Sequence, residues 1–97
     1  MKKAEDNFHK TAIIDENTII GENTKIWAFA QIREKAKIGK NCVIGNGTYI
    51  DSGVIIGDNV SIQNKSLIYR TTKIEDNVFI GPNVVFTNDK NPRSGVI

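Results

Sequence analysis

Between Thr87 and Ser94 the chain reads Thr-Asn-Asp-Lys-Asn-Pro-Arg-Ser, a short polar stretch that gathers side chains able to do chemistry. Asn88 offers an amide that both donates and accepts hydrogen bonds, and Asp89 beside it is a carboxylate able to take a proton. Arg93 carries a planar fork of donors suited to a diphosphate. Upstream, Gln63 and Asn64 set two amides side by side, and Tyr69 and Arg70 set an aromatic face beside a second guanidinium. Each also has a structural reading: Asn favours turns, a loop Asp is solvated, amides can ladder between successive coils, and Tyr can pack at an interface. His9 is the only histidine and Cys42 the only cysteine. An internal disulfide is therefore excluded, and no Cys and His cluster has the spacing of metal ligands.

The elements that must position these groups follow from a six-residue rhythm. Stepping by six from Ile14 lands on Ile20, Ile26, Ile32, Ile38 and onward through Ile80 to Phe86, always a large apolar residue. Two residues before each stands a small or β-branched one, such as Thr24, Ala30, Cys42, Thr48, Val54 or Ser66. On extended backbone, positions two apart face the same side. A helix would rotate a six-residue step around its axis, so short strands joined by corners fit and a helix does not. Gly21, Gly39, Gly45, Gly57 and Gly81 directly follow an isoleucine, and Asn17, Asn23, Asn41, Asn59, Asn77 and Asn83 stand three after one. Both types tolerate positive φ, so both are expected to form the bends.

Such a chain is expected to stack as coils, with isoleucines piled into a continuous inner column and ladder hydrogen bonds running between coils. With three hexads per coil, about four to five coils run through the chain. Ile13, Gln31, Tyr49, Leu67 and Val85 then form one outward, mostly apolar column, which predicts a contact surface. Trp27, Phe29 and Tyr49 are read first as structural, and Cys42 as a buried inert thiol at a small-residue core position. Period alone does not give the hand of the helix, and the right-handed crossover rule would mislead here.

At 97 residues the chain is one domain, with a lead-in over 1–12, coils over 13–86, and a loop excursion ending the chain over 87–97. The net charge of +2 comes from lysines interleaved with acids, which argues against a nucleic-acid surface. No apolar run is long enough to span a bilayer and no leader h-region follows the first lysines, so a cytoplasmic protein is expected.

The Ile-Gly-x-x-x-small pattern resembles the hexapeptide-repeat acyltransferase superfamily over nearly the whole chain. Within it, Ile62 to Ser94, with its IQN step, EDNVFIGPNVVFTN run and PRS, resembles the branch that N-acetylates amino groups of nucleotide-linked sugars, especially 3-amino sugars of surface polysaccharides. The resemblance implies an all-β, single-stranded left-handed parallel β-helix and a homotrimer with sites between neighbours. It implies acetyl-CoA as co-substrate and a nucleotide-linked amino sugar as acceptor. Asn88 would then stand at the amine, with Asp89 sharing its charge or acting as base. Gln63, Asn64, Tyr69, Arg70 and Arg93 would bind substrate. The coils hold no histidine to serve as general base, which also weakens a carbonic-anhydrase-like reading with three zinc-bound histidines. Proteins of that branch continue for several more coils, so the chain is expected to be a fragment or the product of a shortened gene. The alternative function is a non-catalytic β-helix that binds sugar nucleotide or only assembles. An O-acetyltransferase of the same fold is a third reading.

Overall fold

A computed structural model describes residues 7–86. Thirteen strands of two residues each wind as a single parallel β-helix with three flat faces. The first face stacks Ile13–Ile14, Gln31–Ile32, Tyr49–Ile50, Leu67–Ile68 and Val85–Phe86. The second stacks Ile19–Ile20, Lys37–Ile38, Ile55–Ile56 and Lys73–Ile74. The third stacks Lys25–Ile26, Val43–Ile44, Ser61–Ile62 and Phe79–Ile80. Each partner lies eighteen residues on, so one coil is three hexads, and the architecture is consistent with the left-handed β-helix that the resemblance implies.

The second residue of each strand points inward. From Ile26 to Ile80 these isoleucines are buried, and Ile14, Ile20 and Phe86 pack against the same column. Burying one such side chain is worth about 1.5–3 kcal/mol, and no coil can realise that gain without a neighbour. The small inward residues do a second task where they carry a hydroxyl. Thr24, Thr48 and Ser66 donate to the carbonyls of Gly39, Gln63 and Gly81 on the adjacent coil, so these three core hydroxyls are satisfied.

The bends correct one expectation. Positive φ recurs at the residue three after each inward apolar one, at Asn17, Asn23, Asn41, Asn59, Asn77 and Asn83 but also at Phe29, Lys35, Lys65 and Thr71, with Gly47 and Gly53 completing the series. The glycines that directly follow an isoleucine are absent from it. At Gly21, Gly39, Gly45 and Gly57 their role is close approach: a Cβ on Gly21 would meet the Gly39 backbone at 2.6 Å, and one on Gly57 would collide with the Asp76 carboxylate. That carboxylate accepts from the Asp58 amide at 2.7 Å, as Asp58 does from Lys40 and Asn64 from Asn46, each at 2.9 Å. An acceptor side chain on one coil thus caps a backbone donor on the coil before it.

The three corners differ in charge. The corner after the first face carries Asp15, Glu16, Glu34 and Asp51, and the one after the second face carries Glu22, Asp58, Glu75 and Asp76. Among the described residues the corner after the third face, where His9, Trp27, Gly45, Gln63 and Gly81 stack, carries no carboxylate.

Candidate functional site

The sequence-predicted groups fall on two corners that bound the first face. Gln63 and Asn64 enter that face, and Tyr69 and Arg70 leave it, with Leu67–Ile68 between. They share one coil but not one cluster. Asn88, Asp89 and Arg93 lie outside the described residues.

Asn64 already has an inter-coil task, because its Oδ1 accepts from the Asn46 amide at 2.9 Å. Gln63 is half-buried, with its Nε2 donating to Ser61 Oγ at 3.3 Å. Tyr69 is exposed, and the Arg70 side chain is 73% exposed.

Arg70 is nonetheless anchored, by a residue that sequence reasoning missed. Asp51 is 6% exposed and sits one coil before it. One carboxylate oxygen accepts from the Ser52 amide at 2.8 Å and the Tyr49 hydroxyl at 3.2 Å. The other accepts from the Arg70 amide at 3.1 Å and lies 3.6 Å from Arg70 Nε. Burial opposes ionisation of Asp51, but the Ser52 and Arg70 amides, the Tyr49 hydroxyl and the Arg70 charge outweigh it, and its carboxyl is held below its ordinary value. The Tyr49 hydroxyl in turn accepts from Arg33 Nη1 at 3.0 Å, and Arg33 Nε reaches Asp15 at 3.1 Å. A polar relay therefore climbs four coils, Asp15 to Arg33 to Tyr49 and Asp51 to Arg70. The Tyr49 hydroxyl, the Asp15 carboxylate and the Glu34 charge keep the Arg33 guanidinium protonated throughout any working range. The signal was present in the sequence, since Asp15, Arg33 and Asp51 stand eighteen apart and alternate in charge. At the end of the relay Arg70 presents its outer nitrogens to solvent, an arrangement able to receive an anionic oxygen.

His9 stands apart from this corner. Its Nδ1 receives the Thr11 amide at 3.1 Å and the Thr11 hydroxyl at 2.9 Å, which places the proton of the neutral ring on Nε2. The Thr11 hydroxyl oxygen also accepts from the Phe29 amide at 2.8 Å, so the lead-in is tied to the next coil. Among the described residues no group of three His, Cys, Asp or Glu could hold a metal ion, and no helix is long and apolar enough to cross a membrane.

These coils match the family model for the bacterial transferase hexapeptide (six repeats) over residues 17–52, 35–70 and 53–88, and the chain belongs to that family. In solved structures the fold is similar to two histidine-substituted variants of the perosamine (GDP-perosamine) N-acetyltransferase of Caulobacter crescentus, each in complex with CoA and GDP-perosamine. The TM-scores are 0.59 and 0.65, at 18% identity, over 91% of this chain. At that identity the likeness shows the fold. The chain spans about half of each of those chains, 54%. No curated protein matches the sequence.

Proposed function

We propose that the protein is an acetyl-CoA-dependent N-acetyltransferase acting on the amino group of a nucleotide-linked amino sugar destined for surface polysaccharide. The observation that carries this reading is the coil architecture of a hexapeptide transferase, matched over 91% of the chain by an enzyme solved with CoA and a nucleotide-linked sugar. Acetyl transfer from a thioester needs a neutral amine held against the carbonyl and a preorganised donor for the developing oxyanion. Asn88 accepts a hydrogen bond from the amine and aims its lone pair, with Asp89 beside it as proton acceptor. Arg70, anchored on Asp51, and Arg93 receive phosphate oxygens, while Gln63, Asn64 and Tyr69 line the approach. The uncharged outward column from Ile13 to Val85 supports association into a homotrimer, with sites shared between neighbours.

The test is acetyl transfer from acetyl-CoA to a panel of thymidine-, uridine- and guanosine-linked amino sugars, read by product mass. Acetylated product that falls at least about a hundredfold in Asn88→Ala supports the reading. No product from a folded trimer on any acceptor refutes catalysis by this chain and leaves the binding-module alternative.

A further inference from the structure

We infer that Asp51 is a positioning residue of the proposed transfer: it takes the Arg70 amide proton and so leaves the Asn88 side chain to the acceptor amine. The inference rests on the role proposed above for Asn88, and deepens it by naming what keeps that amide available.

An Asp or Asn two residues after an inward apolar residue has a set task in this fold. Asp58, Asn64 and Asp76 each accept from the backbone amide eighteen residues earlier, at 2.9, 2.9 and 2.7 Å. Of the four described Asp or Asn residues at that position, only Asn46 makes no such bond. Two residues after Phe86 stands Asn88, and eighteen residues before Asn88 stands Arg70. Counted by the repeat, the Asn88 oxygen would be committed to the Arg70 amide.

That donor is already taken. Asp51 Oδ2 accepts from the Arg70 amide at 3.1 Å, and a carboxylate holds an N–H more strongly than an amide oxygen does. Asp51 is itself fixed, being 6% exposed, with its Oδ1 receiving the Ser52 amide at 2.8 Å and the Tyr49 hydroxyl at 3.2 Å. Arg33 Nη1 holds that hydroxyl in turn, at 3.0 Å. The same Oδ2 lies 3.6 Å from Arg70 Nε, so one oxygen aligns both the backbone and the guanidinium of Arg70.

A second observation favours the coil register as far as Asn88. Thr24, Thr48 and Ser66 donate to the carbonyl fifteen residues on, and Thr24 and Ser66 also accept from the amide eighteen on. Thr18 bonds within its own corner instead, to the Asp15 carbonyl. Thr72 occupies the same place in its hexad, yet its buried hydroxyl oxygen has no partner among the described residues. Fifteen on stands Thr87, whose carbonyl would satisfy it in coil register. Three after Phe86 stands Asp89, a type that tolerates the left-handed backbone found at that place in each corner from Asn17 to Asn83. With its usual donor taken, Asn88 keeps its oxygen for a hydrogen of the amine, which is the orientation that acetyl transfer requires.

Hydrogen exchange at the Arg70 amide, followed by NMR on the whole chain, reads the competition. Asn88→Ala alone should leave the Arg70 rate within about twofold of the parent. Asp51→Ala strands the amide and lets Asn88 reach it, so adding Asn88→Ala in that background should speed exchange about fivefold further. Fivefold acceleration by Asn88→Ala in the parent, or no effect of it in the Asp51→Ala background, overturns the inference. If Asp51→Ala does not fold, Asp51→Asn takes its place. Its neutral oxygen competes with Asn88 on equal terms, so a roughly twofold coupling is expected, and none overturns the inference. Kinetics read the catalytic consequence. Asp51→Ala should lower kcat about tenfold and Asp51→Asn less, and neither should remove anything further once Asn88→Ala is present. A loss confined to KM, or one additive with Asn88→Ala, overturns the positioning role. Coupled exchange without transfer by the parent refutes the proposed reaction and keeps the competition for the proton, whereas transfer without coupled exchange refutes the inference and keeps the reaction.

Discussion

Two glycines, Gly39 and Gly53, should respond in opposite ways to the same kind of substitution. Gly39 has ordinary φ and no room: a Cβ there would stand 2.5 Å from the Gly57 carbonyl oxygen and 2.7 Å from its carbon, and would also strike the Asp58 carboxylate. Ordinary contact begins at 3.4 Å, so the two coils must part by roughly 0.7–0.9 Å at that corner. Backbone atoms obstruct, and they are held by the Asn59 amide on the Lys40 carbonyl at 2.8 Å and by Asp58 on the Lys40 amide at 2.9 Å. Overpacking of about 1–3 kcal/mol plus one weakened hydrogen bond of about 1 kcal/mol gives about 2–4 kcal/mol for Gly39→Ala. Gly53 is the converse, with φ at +72° and nothing within 4 Å of a Cβ. Asn occupies the equivalent left-handed position at six other corners, so Gly53→Asn should stay within about 0.5 kcal/mol of the parent. Urea denaturation of both variants, followed by circular dichroism, reads the difference. A cheap Gly39→Ala, or a Gly53→Asn as costly as it, would refute the assignment of these glycines to two physical classes.

Asp51→Ala should cost about 2 kcal/mol by stranding the Ser52 and Arg70 amides and the Tyr49 hydroxyl, measurable by the same denaturation. Because folding lowers the Asp51 pKa, its contribution is complete above the unfolded value near about 3.9 and is lost as pH falls through the lower folded value. Stability of the parent should therefore drop below about pH 4, and Asp51→Asn should flatten that limb; a parallel acid limb in the variant would refute the assignment. Cys42 is buried at 0% exposure, and burial pushes its thiol up despite hydrogen bonds from neighbouring backbone and Thr24. A disulfide-exchange reagent at pH 8 should label it only after denaturant unfolds the coils, and rapid native labelling would refute its place in the core.

The fold was legible because its two strongest signals are local. An isoleucine at every sixth position and a left-handed residue midway between them can be counted without knowing which coil touches which. The outward column from Ile13 to Val85 followed once three hexads were taken as one coil, and the strand register bears out its stacking. The reason for the glycines was not legible. Gly39 and Gly53 are the same letter, and only the distance to the next coil separates a residue chosen for its missing Cβ from one chosen for its φ. The Asp51 relay escaped for a different reason: it joins residues two, sixteen, eighteen and nineteen apart, and Tyr69 and Arg70 drew notice as departures from the corner pattern while the aspartate that holds Arg70 did not. Asn64 shows the limit from the other side, since an amide at a corner serves an inter-coil cap and a ligand equally well until its oxygen is seen to be occupied.

The inter-coil caps give the solenoid a grammar of permissible edits. Because Asp58, Asn64 and Asp76 each reach a backbone amide eighteen residues earlier, every coil is addressed by its position modulo that length. Gain or loss of a whole coil leaves each remaining acceptor opposite an amide, so evolution can lengthen or shorten such a rod without redesigning it. A single-residue deletion within a flat shifts every later isoleucine out of its column and every later cap off its donor, and only extra residues bulged from a corner escape that rule.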